Sequence, residues 1–178
     1  MDIKSNKEQT FVNLVQEHQG IIHKVCRVYG SREEDHRDLF QEIVLQLWRA
    51  YDSYKGDSRF TTWMYRVALN TAISGFRKHT RSPQLQILSD KELEIPGWDI
   101  DADRQEQMRF LYQAINQLSE VEKAIVMLHL EDHSYDEIAE IIGITRNHVG
   151  VKLNRIKLKL RQLLEPHLAD NPQTFDAT

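Results

Sequence analysis

Four kinds of side chain that can address nucleic acid recur in "RNHVGVKLNRIKLKLRQL", residues 146–163. Carboxamides stand at Asn147 and Asn154, cations at Arg146, Lys152, Arg155, Lys157, Lys159 and Arg161, an imidazole at His148, and a small branched apolar group at Val151. Amides pair with adenine, arginine and lysine reach guanine or phosphate, and a methyl group meets the methyl of thymine. At about 100° per residue, Val149, Leu153, Ile156, Leu160, Leu163 and Leu164 fall on one apolar stripe. Asn147, Val151 and Asn154 point away from it, with His148, Lys152, Arg155 and Lys159 along one flank and Lys157 and Arg161 along the other. A solvated helix face can carry the same charges, so the segment before it decides between the two readings.

That segment supplies a short capped helix and a turn. Ser134 followed three residues later by Glu137 has the form of a capping box. Ile138, Ala139, Ile141 and Ile142 then turn inward, Gly143 ends the helix, and a new one can start at Thr145. A short helix, a Gly-containing turn and a longer helix form the helix-turn-helix layout, which favours a DNA-reading face. Gly150 stands inside the last helix, where glycine costs roughly 1 kcal/mol relative to alanine; close approach to DNA or tight packing would each offset that.

A second group lies nearer the N-terminus. "TTWMYRVALNTAISGFRKHTR", residues 61–81, puts Tyr65, Ala68, Leu69, Ala72 and Phe76 on one helix face and Trp63, Arg66, Asn70, Ser74 and Arg77 on the other. An indole among polar groups, beside a Gly-containing loop with Tyr54, Lys55 and Arg59, combines stacking with phosphate binding; the alternative is that Trp63 caps the core. Upstream, "DLFQEIVLQLWRAY", residues 38–51, buries Phe40, Ile43, Val44, Leu47 and Tyr51 and turns Asp38, Gln41, Glu42 and Arg49 outward with Leu45 among them. A leucine in a polar face fits a protein contact, although a single exposed leucine is common.

Other chemistries find little support. His129 and His133 stand four apart, but Ser134 breaks the helix beside them and no cysteine is near, so no metal site is predicted. "DIDAD", residues 99–103, begins like a calcium loop, yet Arg104 occupies the glycine position and Phe110 the bidentate glutamate position. No Gly-rich phosphate loop, His-Glu-x-x-His or nucleophile elbow is present, and no cofactor is expected. Cys26, the single cysteine, sits among "IIHKVCRVY" and reads as a small buried hydrophobe.

These groups need helices to hold them. Nearly every periodic stretch in the 178 residues has helical spacing, so the expected fold is all-α. Further capping boxes are expected at Ser31 with Glu34 and Ser119 with Glu122. Two prolines and an acidic cluster interrupt the pattern after Ser82, which gives a helical domain over residues 1–81, a flexible acidic linker over 82–106, a helix-turn-helix domain over 107–168 and a tail over 169–178. The formal net charge of −4 conceals a local charge of +5 over residues 145–165, with −5 in each of 82–106 and 107–144. No membrane span or signal peptide is read from the sequence, so a cytoplasmic protein without membrane insertion is expected.

Taken together, these segments resemble the extracytoplasmic-function group of bacterial RNA polymerase sigma factors. "DLFQEIVLQLW" is similar to that family's polymerase-clamp-binding helix, "FTTWMYRVALNTAISGFRK" to its minus-ten recognition and melting segment, and "LSEVEKAIVMLHLEDHSYDEIAEIIGITRNHVGVKLNRIKLKL" to its minus-thirty-five domain. The resemblance implies a non-catalytic initiation factor whose partners are core RNA polymerase, through the clamp helices of the largest subunit and the flap, and promoter DNA. It places Asp38, Gln41, Glu42 and Leu45 against the clamp helices. Arg66, Asn70, Ser74 and Arg77 would lie at the minus-ten element, with Trp63 near the melting site, and the loop from Tyr54 through Lys55 to Arg59 would hold an unstacked base. Arg146, Asn147, His148, Val151, Lys152 and Arg155 would serve the minus-thirty-five element. His148, Gly150, Val151 and Asn154 depart from the family's commoner Thr, Lys, Ser and Ser, so its base preference does not carry over. Many members are held inactive by an anti-sigma protein, a further partner that the sequence neither names nor excludes. The rival reading is a stand-alone helix-turn-helix regulator acting as a dimer.

Overall fold

The computed structural model describes residues 3–30, 32–79, 110–111 and 113–168, and all regular secondary structure among them is helical. The chain divides into two compact units, one built around the N-terminal helices and one around the C-terminal helices. The expected linker at 82–106 and tail at 169–178 lie outside the described residues.

In the N-terminal unit, α1 (Ile3–Tyr29), α2 (Glu33–Ala50) and α3 (Phe60–His79) each pack against the other two. A 3₁₀ turn at Tyr51–Ser53 follows α2. Ile22 and Val25 of α1, Ile43 and Leu47 of α2, and Met64, Ala68 and Leu69 of α3 are fully or almost fully buried. Residues three and four apart share a helix face, so these short spacings build one core from three amphipathic stripes. Of the face predicted for α2, Ile43 and Leu47 are buried, whereas Phe40, Val44 and Tyr51 are half-buried at its margin. Cys26 is buried as expected, and loss of solvent pushes its thiol up to about 11.

The α2 N-terminus differs from the capping box expected there. Arg32 is its N-cap and makes no side-chain cap hydrogen bond, while Ser31 lies outside the described residues. Glu33, Glu34 and Asp35 fill the first turn, where their charges favour the positive end of the helix dipole. The preceding corner depends on Gly30. Its N–H donates to the Cys26 carbonyl at 2.8 Å, and His36 folds back so that Nε2 lies 3.1 Å from the Gly30 carbonyl oxygen. A Cβ at this position would overlap the His36 ring and come within 2.9 Å of the Cys26 oxygen.

The C-terminal unit begins with helical residues 110, 111 and 113–116, followed by α4 (Glu120–Leu130), α5 (Tyr135–Ile142) and α6 (Arg146–Leu168). Both expected capping boxes form. Ser119 and Glu122 cap α4 reciprocally; at α5 the Ser134 N–H donates to Glu137 at 2.9 Å and the Glu137 N–H to the Ser134 hydroxyl at 3.3 Å. At the far end of α4, Asp132 adopts φ +59°, and the His133 N–H closes back on the Leu128 carbonyl at 3.1 Å. Ala114, Leu118, Ile125, Leu128, Ile138, Val149, Leu153 and Ile156 form the core, and Ile141 of α5 is buried as well. Gly30→Ala is expected to destabilise the N-terminal unit by about 1–3 kcal/mol, because both obstructing groups belong to a closed corner; urea unfolding followed by tryptophan fluorescence measures the loss.

Candidate nucleic-acid interface

The C-terminal site is built by a turn. Gly143 takes φ +79° after α5, and the Ile144 N–H donates to the Ala139 carbonyl at 3.1 Å, ending the helix in a left-handed C-cap. Thr145 then starts α6: its side-chain oxygen lies 3.3 Å from the His148 N–H and its carbonyl accepts the Val149 N–H at 3.1 Å. Val149, Leu153 and Ile156 anchor the new helix in the core; Leu160, Leu163 and Leu164, predicted on the same stripe, are half-buried. Asn147, Val151 and Asn154 are exposed opposite this stripe, His148 and Arg155 are exposed and Lys152 half-buried along its flank, and Arg146 is exposed at the N-terminal end of the helix. The six residues predicted for the minus-thirty-five element thus share one accessible region of α6, with Val151 48% exposed.

Two charged residues on this surface have internal partners that helical spacing did not reveal. Lys159 donates to the Gln117 carbonyl at 2.9 Å and pairs with Glu122 at 3.5 Å, tying α6 to the start of α4. It therefore leaves the flanking row of cations in which its spacing placed it. Arg146 lies 3.7 Å from Asp136 of α5, both largely exposed, so an acid stands beside the first residue of α6. Burial pushes the Glu122 carboxyl up, but the Ser119 N–H and hydroxyl and the Lys159 ammonium outweigh it and hold the group below its ordinary value. Gly150 faces Tyr135, and a Cβ there would lie 3.6 Å from the ring, an ordinary contact. Packing within the unit does not require glycine at that position.

In the N-terminal unit, Asp38, Gln41, Glu42 and Leu45 are all exposed on one side of α2, with Leu45 41% accessible. Gln46 donates to Glu42 at 2.7 Å. Trp48, one turn beyond Leu45 and 36% exposed, extends the apolar part of this surface. Lys7 of α1 lies 5.4 Å from its ring centroid. Sequence reading missed Trp48, although its position three residues after Leu45 was the available signal.

The predicted minus-ten group divides. Arg66, Asn70 and Ser74 are exposed along α3, and Lys55 and Arg59 are exposed in the preceding loop. The side chain of Arg77 lies outside the described residues. Trp63 does not join the polar face: it is only 9% exposed and packs with Tyr54 and Phe60 at centroid separations of 5.2 and 5.4 Å. Its aromatic neighbours draw it to the core side, as in the alternative weighed from the sequence. Tyr54 is half-buried, and its hydroxyl donates to the Ser58 carbonyl at 2.9 Å across the loop. Gly56 supplies φ +80° between them, a conformation that favours glycine.

Gly150→Ala is expected to stabilise the C-terminal unit by about 0.5–1 kcal/mol, since the methyl fits and the helix gains intrinsic preference; thermal unfolding checks this, and a loss would reveal a packing demand. Glu122→Gln tests the Ser119–Glu122–Lys159 cluster. A lowered folded pKa contributes stability above the unfolded value, near 4.5, and loses it as pH falls through the folded value. The wild-type advantage over Glu122→Gln is therefore expected to be largest at neutral pH and to narrow below about pH 4.5 in urea unfolding.

Residues 14–82 match the Sigma-70 region 2 family model and residues 110–160 the Sigma-70 region 4 model. The ECF RNA polymerase sigma-E factor of Haemophilus influenzae is 28% identical over 175 residues, covering 92% of each chain. The sigma-E factor of Escherichia coli K12 is 27% identical over 177 residues, covering 92% of this chain and 91% of its own. The RNA polymerase sigma-H factor of Pseudomonas aeruginosa is 26% identical over 77% of both chains. Among solved structures, the sigma factor RpoE of Bartonella quintana, in complex with the anti-sigma factor NepR, gives a TM-score of 0.66 at 18% identity, covering 88% of this chain and 98% of that one. CnrH, in complex with the cytosolic domain of CnrY, gives 0.63 at 22%, covering 89% and 90%. At these identities the structures establish the fold, while the N-terminal region 2 match favours a sigma factor over a stand-alone regulator. With both regions matched in order on an all-helical chain, the protein belongs to the extracytoplasmic-function group of bacterial RNA polymerase sigma factors, initiation subunits that bind core polymerase and bring it to promoter DNA.

Proposed function

We propose a division of this work among the exposed faces. The α2 surface of Asp38, Gln41, Glu42 and Leu45 docks on the clamp helices of core polymerase, and Trp48 extends the contact. Arg66, Asn70, Ser74 and Arg77 meet the minus-ten element, while the loop of Lys55 and Arg59, braced by Tyr54 and Trp63, receives an unstacked base. Residues 146–155 enter the major groove of the minus-thirty-five element. The observation that carries this reading is the pairing of exposed Asn147, Val151 and Arg155 with a buried stripe on the same helix, directly after the Gly143 turn. The local charge of +5 over residues 145–165 supplies phosphate attraction and predicts salt-sensitive binding.

Residues 1–81 and 107–168 act as the polymerase and upstream-DNA modules in this reading, with 82–106 as connector and 169–178 as tail. Bond-making belongs to the polymerase, and the protein works in the cytoplasm as its recruited subunit. No helix among the described residues is long and apolar enough to cross a membrane. Capture of RpoE with NepR supports an anti-sigma protein as a regulator here too.

Glu42→Lys tests the docking face. Core binding measured by fluorescence anisotropy is expected to weaken by roughly tenfold or more, as charge reversal at an interface does, and run-off transcription should fall with it. Circular dichroism is expected to remain unchanged. Undiminished affinity for core polymerase would remove Glu42 from the contact.

A further inference from the structure

The exposed side of α6 sorts its chemistry by angle. Asn147, Val151, Asn154 and Leu158 fall within about 60° of one another around the helix, at a step of about 100° per residue. No charged side chain interrupts that stripe; the cations Lys152 and Arg155 lie to one side and Lys157 and Arg161 to the other. Among the described residues the side chains of Asn147, Asn154 and Arg155 have no hydrogen-bond or ion-pair partner. Lys159, which would otherwise crowd the same flank, is held by Gln117 and Glu122. The stripe is therefore neutral and unpartnered, with an apolar group between two amides.

A phosphate-facing stripe would carry cations. An amide offers a donor and an acceptor together, the combination that matches N7 and N6 of adenine, and a branched apolar group matches the C5-methyl of thymine. Resting on the reading of α6 as the minus-thirty-five helix, we infer that Val151 packs on a thymine methyl and that Asn147 and Asn154 pair with adenines on either side. The centre of the element is thus read as A·T pairs, and Arg155 at the edge serves guanine or phosphate. Leu158 lies about 16 Å along the axis from Asn147 at 1.5 Å per residue, beyond a major groove about 12 Å wide, and does not read a base.

The test uses holoenzyme assembled from core polymerase and the full chain. Duplexes randomised across the upstream element are selected for binding, and each thymine of the selected element is then replaced by deoxyuridine, which lacks only the methyl. Selection is expected to enrich A·T pairs at the centre. At one of those thymines, wild-type holoenzyme is expected to lose roughly fourfold in affinity, the factor for one buried methyl-sized group. Val151→Ala should lose a similar factor on thymine and become indifferent to deoxyuridine at that position. Val151 is exposed, so this change leaves the core intact.

A G·C-enriched centre, no methyl-sensitive thymine, or a Val151→Ala holoenzyme that stays equally sensitive would each overturn the assignment. Arg155→Ala separates that failure from failure of the underlying reading. If it weakens upstream binding while deoxyuridine has no effect, α6 still binds the element but Val151 does not read thymine. If the pool yields no upstream enrichment and Arg155→Ala changes nothing, both fall.

Discussion

The left-handed turn at Gly143 sets the direction in which α6 leaves α5. At eight residues, α5 is too short to persist as an isolated helix in water. It is fixed at one end by the reciprocal Ser134–Glu137 cap, at the other by the Ile144–Ala139 hydrogen bond, and between them by the buried side chains of Ile138 and Ile141. Those three restraints hold the first turn of α6 in place, and Val149, Leu153 and Ile156 set its rotation. The chemistry of the outer face follows from that rotation. A changed rotation would turn Val151 inward and bring core residues to the surface.

The N-terminal unit uses a different division of labour. Its aromatic side chains pack largely with one another: Phe11 meets Trp48 and Tyr51, and Tyr54, Phe60 and Trp63 form a cluster beneath the loop. Edge-on and tilted ring contacts stabilise such a cluster beyond simple burial. The loop then presents Lys55 and Arg59 from a backbone braced by the Tyr54–Ser58 hydrogen bond, while α3 presents Arg66, Asn70 and Ser74 from a rigid helix. Polar groups provide the accessible chemistry and rings supply the platform beneath them.

Local periodicity makes much of this architecture legible in the sequence. The Ser119 and Ser134 caps, the Gly143 turn and the deepest positions of the α2, α3 and α6 stripes all depend on neighbours within a few residues, which a sequence displays directly. Helical spacing set Trp63 on the polar face of α3, and the rings of Tyr54 and Phe60, which lie outside the apolar stripe's period, drew it inward. The Lys159–Glu122 pair joins positions 37 apart in the chain, and no helical wheel contains both. Asp136 beside Arg146 is invisible to helical spacing for the same reason, since the two belong to different helices. At α2 the N-cap is Arg32, one residue from the expected Ser31, a difference within the one or two residues to which local spacing locates a helix end.

Burial of Cys26 has a consequence for handling the protein. A thiol whose pKa is about 11 is almost entirely protonated at neutral pH, and this one is only 2% accessible. Thiolate is the species that alkylating and disulfide reagents attack, so the native chain reacts slowly with both. A cysteine introduced at one exposed position would then be the dominant reactive thiol in an otherwise natural molecule. Fluorescent or spin labels could be attached to α2 or α6 one site at a time without first removing Cys26 from the core.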